Sequence, residues 1–184
     1  MTLKFFYFIT SLGTSILRLL PGETSHEISL FLLKSFNNLG LIPLHEERIS
    51  NTQTLFGLNF KNKLGISAGL DKNGDYLVSL SALGVGFIEI GTVTPKPQKG
   101  NSKPRLFRDI KSKSLINMMG FNNKGVLHLV KNLKLQRKNQ VIVGVSIGKN
   151  SETPIQEAIK DYLECMTCVY EHSDYIAINI SSPN

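Results

Sequence analysis

Four short apolar runs, each closing on glycine or polar residues, constrain this chain more than any other feature. They are LGISAGLDK from Leu64, GFIEIGTVTP from Gly86, VIVGVSIGKN from Val141 and YIAINISSPN from Tyr175. Uninterrupted apolar runs of this length suit strands buried on both faces of a parallel sheet. Helical periodicity fills the gaps between them. One helix carries Tyr76, Leu77, Leu80 and Leu83, and the next carries Val126, Leu129, Val130 and Leu133. The third runs from Ile155 to Tyr170, with Gln156, Glu157, Lys160, Asp161, Glu164 and Glu171 on its other face. Strand and helix in alternation mean an α/β fold. Both α/β barrels and open α/β sheets place their sites where strands end, and periodicity does not choose between them.

Residues 1–45 follow a different pattern. Phe5, Phe8, Ile9, Leu12, Ile16, Leu19 and Leu20 recur at helical spacing, opposite Lys4, Ser11, Thr14 and Arg18, until Pro21-Gly22 ends the helix. A second helix is expected with Thr24 or Ser25 as N-cap and with Ile28, Leu32, Leu33 and Phe36 on one face. Arg18 interrupts the run short of the ~20 apolar residues a membrane span needs. A signal peptide lacks its small-residue cleavage site here. A helix pair lying in a lipid interface fits the stripe, as does a pair packed on the body of the protein. Between this segment and the first long run, residues 53–61 read as a hairpin with Gly57 near its turn.

The motifs that are missing narrow the chemistry. GVGFIEIG is not a dinucleotide fingerprint, and Gly148-Lys149-Asn150 lacks the upstream glycines of a phosphate loop. The four histidines are scattered and read as surface or packing residues, and no metal-ligand spacing occurs. Cys165 and Cys168 lie within a helical pattern and read as two small helix residues with no shared role. The net charge of +7 has no aromatic-interleaved basic patch, so nucleic acid is not the expected partner. Lys103–Lys113 and Lys131–Lys138 read as solvated surface, or as attraction to anionic lipid or a phosphate-bearing ligand. What remains is one lysine, Lys72, among uncharged hydrogen-bonding residues: Asn117, Asn179, Asn184 and Ser182. Such groups suit a flat heterocycle bearing imide and carboxylate groups better than a metal.

The segments ISAGLDKNG, EIGTVTPKPQKGNSKPRLFR, LINMMGFNNKG, IGKN and YIAINISSPN, in this order, resemble the dihydroorotate dehydrogenases. The serine of the last motif and the helix pair resemble the membrane-associated, quinone-using class. The resemblance implies a (β/α)8 barrel, of which about four units fall in residues 46–184, after a membrane-associating helix pair in residues 1–45. It implies FMN as cofactor, dihydroorotate and orotate as ligands, and a membrane quinone as electron acceptor. With no long Arg-rich transit peptide ahead of the helix pair, the cytoplasmic face of a bacterial inner membrane is the expected location, ahead of the mitochondrial inner membrane. Ser182 would be the base. Lys72, Asn117, Met118, Met119, Gly120, Phe121, Asn179 and Asn184 would meet the substrate, and Ala68, Gly69, Lys72, Thr92, Ser146 and Asn179 the flavin. In GVSIGKN the family usually has asparagine where this chain has Ser146. A complete barrel needs ~200 residues or more, so the chain is expected to lack the later strands and the phosphate loops. A non-catalytic remnant and a membrane-surface or partner-binding module stay open as other readings.

Overall fold

A computed structural model describes residues 3–43, 52–136 and 141–180. In chain order, helices α1 (Leu3–Leu17) and α2 (Gly22–Asn38) come first, then a small antiparallel hairpin, β1 (Gln53–Leu55) and β2 (Leu58–Phe60). Phe56 and Gly57 turn it with φ of 52° and 78°, the left-handed pair that a two-residue hairpin turn requires. Next come β3 (Gly65–Ile66), α3 (Leu77–Ser81), β4 (Phe87–Val93) and a second antiparallel hairpin, β5 (Leu106–Asp109) with β6 (Ser114–Asn117). The rest is α4 (Val126–Gln136), β7 (Ile142–Ile147), α5 (Ala158–Val169) and β8 (Tyr175–Ile178), with a 3-10 turn at each end of α5.

β3, β4, β7 and β8 pair in parallel and in chain order, one helix bridging each successive pair. These are the four expected strands, arranged as successive units of a barrel wall. The two faces of the sheet differ. Ile88, Ile90, Val143, Val145 and Ile147 pack against Leu77 and Leu80 of α3, Leu129 and Leu133 of α4, and Cys165 and Val169 of α5, forming the core. Alternate residues line the inner face. There the Phe87 ring lies over Gly65 and the Tyr175 ring over Gly144, so closely that a methyl at either glycine would collide with it. The Tyr175 hydroxyl donates to Glu89 at 3.1 Å.

Two expectations about α2 are corrected. The helix starts at Gly22 behind Pro21, not at a Thr24 or Ser25 cap. Proline needs no N–H partner at a helix entrance, and the Ser25 amide already closes the first turn on the Pro21 carbonyl at 2.9 Å. The α2 residue that enters the core is Leu30, outside the expected stripe, with Leu33 packed beside it. Hairpin β5–β6 was not foreseen: its strands are largely exposed and carry the charges that read as solvated surface. Among the described residues no helix is long and apolar enough to cross a membrane. Tyr7, Phe8, Leu12 and Ile16 of α1 and Phe31 and Leu32 of α2 are exposed.

Candidate active-site cleft

The loops after the strands and the inner side of α2 enclose a cleft of about 730 Å³. The loop after β3 supplies its cation. Asp71 is buried, and its carboxylate accepts the amides of Asn73, Asp75 and Tyr76 at 3.2, 3.1 and 2.8 Å. Burial pushes the Asp71 carboxyl up from 3.8, against those three amides. The fold of this loop turns Lys72 into the cleft, where its ammonium donates to the Gly69 carbonyl at 2.9 Å. Among the described residues Lys72 forms no ion pair within 4.0 Å. Burial lowers its pKa from 10.5; the Glu23 charge pulls the other way and Arg105 adds to the lowering. Gly69 has a φ of +104°, with open space where a side chain would project.

Polar groups from the ends of three strands meet beside that lysine. The Thr92 hydroxyl near the end of β4 lies 2.9 Å from the Ser146 hydroxyl of β7 and takes the Asn179 side-chain amide at 2.9 Å. Asn179 is fixed by its own backbone: its N–H donates to Ile147 at 2.9 Å and its carbonyl accepts the Tyr162 hydroxyl of α5 at 3.0 Å. Asn117 ends β6, and the loop beyond it is pinned from below. Asn101 donates to the Met119 carbonyl through its amide at 3.1 Å and to the Met118 carbonyl through its side chain at 2.8 Å. Gln98 donates to the Gly120 carbonyl at 3.0 Å.

Of the residues expected to form the site, Ala68, Gly69, Lys72, Thr92, Asn117, Met119, Phe121 and Asn179 line this one cleft. Ser146 stands directly behind Thr92. Met118 is half exposed and Gly120 is buried, and neither is in the lining. Ser182 and Asn184 lie outside the described residues.

Several cleft residues escaped the sequence. α2 contributes Glu23, His26 and Leu30, so His26 is a cleft residue and not a scattered surface one. Burial lowers its pKa from 6.5, and the Lys72 charge adds to that. Buried Arg105 joins α2 to the hairpin: it meets Glu23 at 2.6 Å and donates to the carbonyls of Lys99 and Asn101 at 2.6 and 2.9 Å. Asn122 lines the cleft with a buried side-chain oxygen that has no hydrogen-bond partner among the described residues. Only Asp71, spaced to cap its own loop in LDKNGDY, left a readable signal. Among the described residues no group of three or more His, Cys, Asp or Glu side chains is placed to hold a metal ion. The cleft therefore offers a partly desolvated cation beside neutral amides and hydroxyls, with glycine backbone open to a flat ring.

Comparison with known proteins gives the family of the fold that carries this cleft. Residues 50–184 match the family model described as dihydroorotate dehydrogenase. The dihydroorotate dehydrogenase (quinone) of Cellvibrio japonicus is 55% identical over 170 residues, 92% of this chain and 49% of its own length. That of Acinetobacter baylyi is 49% identical over 174 residues, 95% of this chain and 51% of its own. The solved ligand-free DHODH of Eimeria tenella superposes with a TM-score of 0.79 at 37% identity, over 88% of this chain and 46% of that one. Its complex with ferulenol gives 0.77 at 35%, over 88% and 44%. The chain thus spans about half the length of the relatives it matches. With its model match, its relatives and its half-barrel wall in agreement, the chain belongs to the dihydroorotate dehydrogenase family.

Proposed function

We propose that this chain supplies the ring-facing and substrate-facing wall of a flavin enzyme that oxidises dihydroorotate to orotate in pyrimidine synthesis and passes the electrons to a membrane quinone. The observation that carries this reading is Lys72: a partly buried cation, with no carboxylate within 4.0 Å among the described residues, in one cleft with the amides of Asn117 and Asn179. Such a cation selects a ligand that is anionic or becomes so during reaction.

The residues present fit FMN. Gly69 leaves open space over its backbone, and Ala68 and Thr92 continue that wall. Barrels of this kind hold phosphate on loops after their seventh and eighth strands, so the share of this chain is the ring. When bound, the flavin supplies the acceptor for the hydride that leaves C6 of the substrate. Lys72 offsets the negative charge that develops across the cleft. Asn117 and Asn179, with Asn184, hold the pyrimidine and its carboxylate in position, and Asn179 is held in turn by Thr92. Ser182 takes the proton from C5. The apolar stretch of wall made by Leu30, Leu106 and Leu115 lies between α2 and the hairpin and gives a quinone its approach. The exposed apolar residues of α1 and α2 meet the lipid surface, on the cytoplasmic face of a bacterial inner membrane.

Anaerobic mixing of the FMN-loaded protein with dihydroorotate tests the reading. Bleaching of the flavin absorbance is expected. Lys72→Met slows it by about 10²–10³, the usual worth of one preorganised electrostatic group, whereas Lys131→Met, exposed on α4, leaves the rate alone. Equal rates for the two variants would remove Lys72 from the chemistry and the reading with it.

A further inference from the structure

We propose that the tip of hairpin β5–β6 is a second docking point for an anionic lipid surface, acting together with the turn between α1 and α2. The inference rests on the membrane assignment of α1 and α2 and adds a separate element to it. Arg108 of β5 donates to the carbonyls of Arg18 and Leu20 at 2.6 and 3.2 Å. Those two carbonyls flank Leu19, which is 85% exposed. Leu106, two residues earlier on the strand, packs so closely on Gly22 that a methyl there would sit 3.0 Å from its side chain. Hairpin and helical turn are therefore tied at two successive inward positions and present a common edge.

From Arg108 the strand runs on to a tip about 10 Å away at strand spacing. Ile110 stands there 83% exposed, followed by exposed Lys111 and Lys113. Asp109, the only carboxylate between Arg108 and Lys113, accepts the Ser112 hydroxyl and the amides of Lys111 and Ser112, so it is turned into the tip itself. An apolar side chain followed by two lysines, on the same edge as exposed Leu19 and Arg18, combines insertion with phosphate attraction. Stable attachment to a bilayer needs two such signals. The charge complements an anionic headgroup layer, and the isoleucine complements the acyl boundary beneath it.

The full chain contains no tryptophan, so Ile110→Trp provides a single reporter at the tip. Leu135→Trp is the control. Leu135 is 66% exposed near the end of α4 that leads to the start of β7, away from the strand ends that carry the cleft. Each protein is mixed with phosphatidylcholine vesicles, with or without phosphatidylglycerol, and followed by sedimentation and emission. The Ile110→Trp emission is expected to shift to the blue on phosphatidylglycerol vesicles and the Leu135→Trp emission to stay put. Lys111→Glu with Lys113→Glu is expected to lower sedimentation on those vesicles at least about tenfold, at roughly fivefold per basic residue, with circular dichroism unchanged. Sedimentation without a shift at Ile110→Trp overturns the hairpin contact and leaves the helix-pair assignment standing. A parent chain that fails to sediment with either vesicle overturns both.

Discussion

Burial pulls the Lys72 pKa below 10.5. The cation is therefore lost as pH rises through a value below that of a free lysine. Affinity for orotate, followed by flavin difference absorbance, is expected to be level at neutral pH and to fall through that alkaline window; Lys72→Met abolishes the dependence. Without ligand the sign reverses: the folded state binds fewer protons than the unfolded one there, so stability rises with pH over the same interval. Ser146 is the second residue with a measurable consequence. It is 3% exposed and its hydroxyl is taken up by Thr92. Ser146→Asn restores the amide usual in the family and reaches past Thr92. One added hydrogen bond is worth about 0.5–1.5 kcal/mol, so a fluorescence titration should show FMN bound a few-fold to about tenfold more tightly. An unchanged constant would mean that the Thr92–Ser146 pair already compensates.

At the scale of elements, the shortest and most buried ion pair of α2 is Glu23 with Arg105. Glu23→Ala leaves buried Arg105 with only the carbonyls of Lys99 and Asn101 as described partners. A hydrogen bond to a charged group is worth about 1.5–3 kcal/mol, and thermal melting of the purified protein should show a loss of that size. Glu23→Gln should recover part of it. The Arg105 hydrogen bond holds the Glu23 carboxyl below 4.5. The contribution is thus complete above 4.5 and disappears as acid titrates through the lowered value. This junction was illegible in the sequence because its partners, Glu23 and Arg105, are 82 residues apart. By contrast, the four sheet strands and the Gly57 turn rest on local signals: continuous apolar runs, and a glycine where φ must be positive. Hairpin β5–β6 alternates exposed and half-buried residues weakly along β5 and not at all along β6, so periodicity had nothing to detect.

Over the whole molecule, the site was legible where it follows strand ends and illegible where it depends on packing between distant segments. Gly69, Lys72, Thr92 and Asn179 follow or finish β3, β4 and β8, and the parallel sheet brings them together. Glu23 and His26 join them because α2 is held there: Leu30 anchors it in the core, Lys34 bonds the Asp75 carbonyl at 3.2 Å, and Arg105 meets Glu23 at 2.6 Å. α2 thus has two surroundings, the cleft on one side and exposed Phe31 and Leu32 on the other. Reciprocity of binding free energies follows from that position. Whatever factor a lipid surface imposes on the affinity of the cleft for its ligand, the ligand imposes on the affinity of the protein for the lipid. Under the proposed lipid contact, any factor other than one would make the membrane-held fraction of this protein depend on how far its cleft is filled.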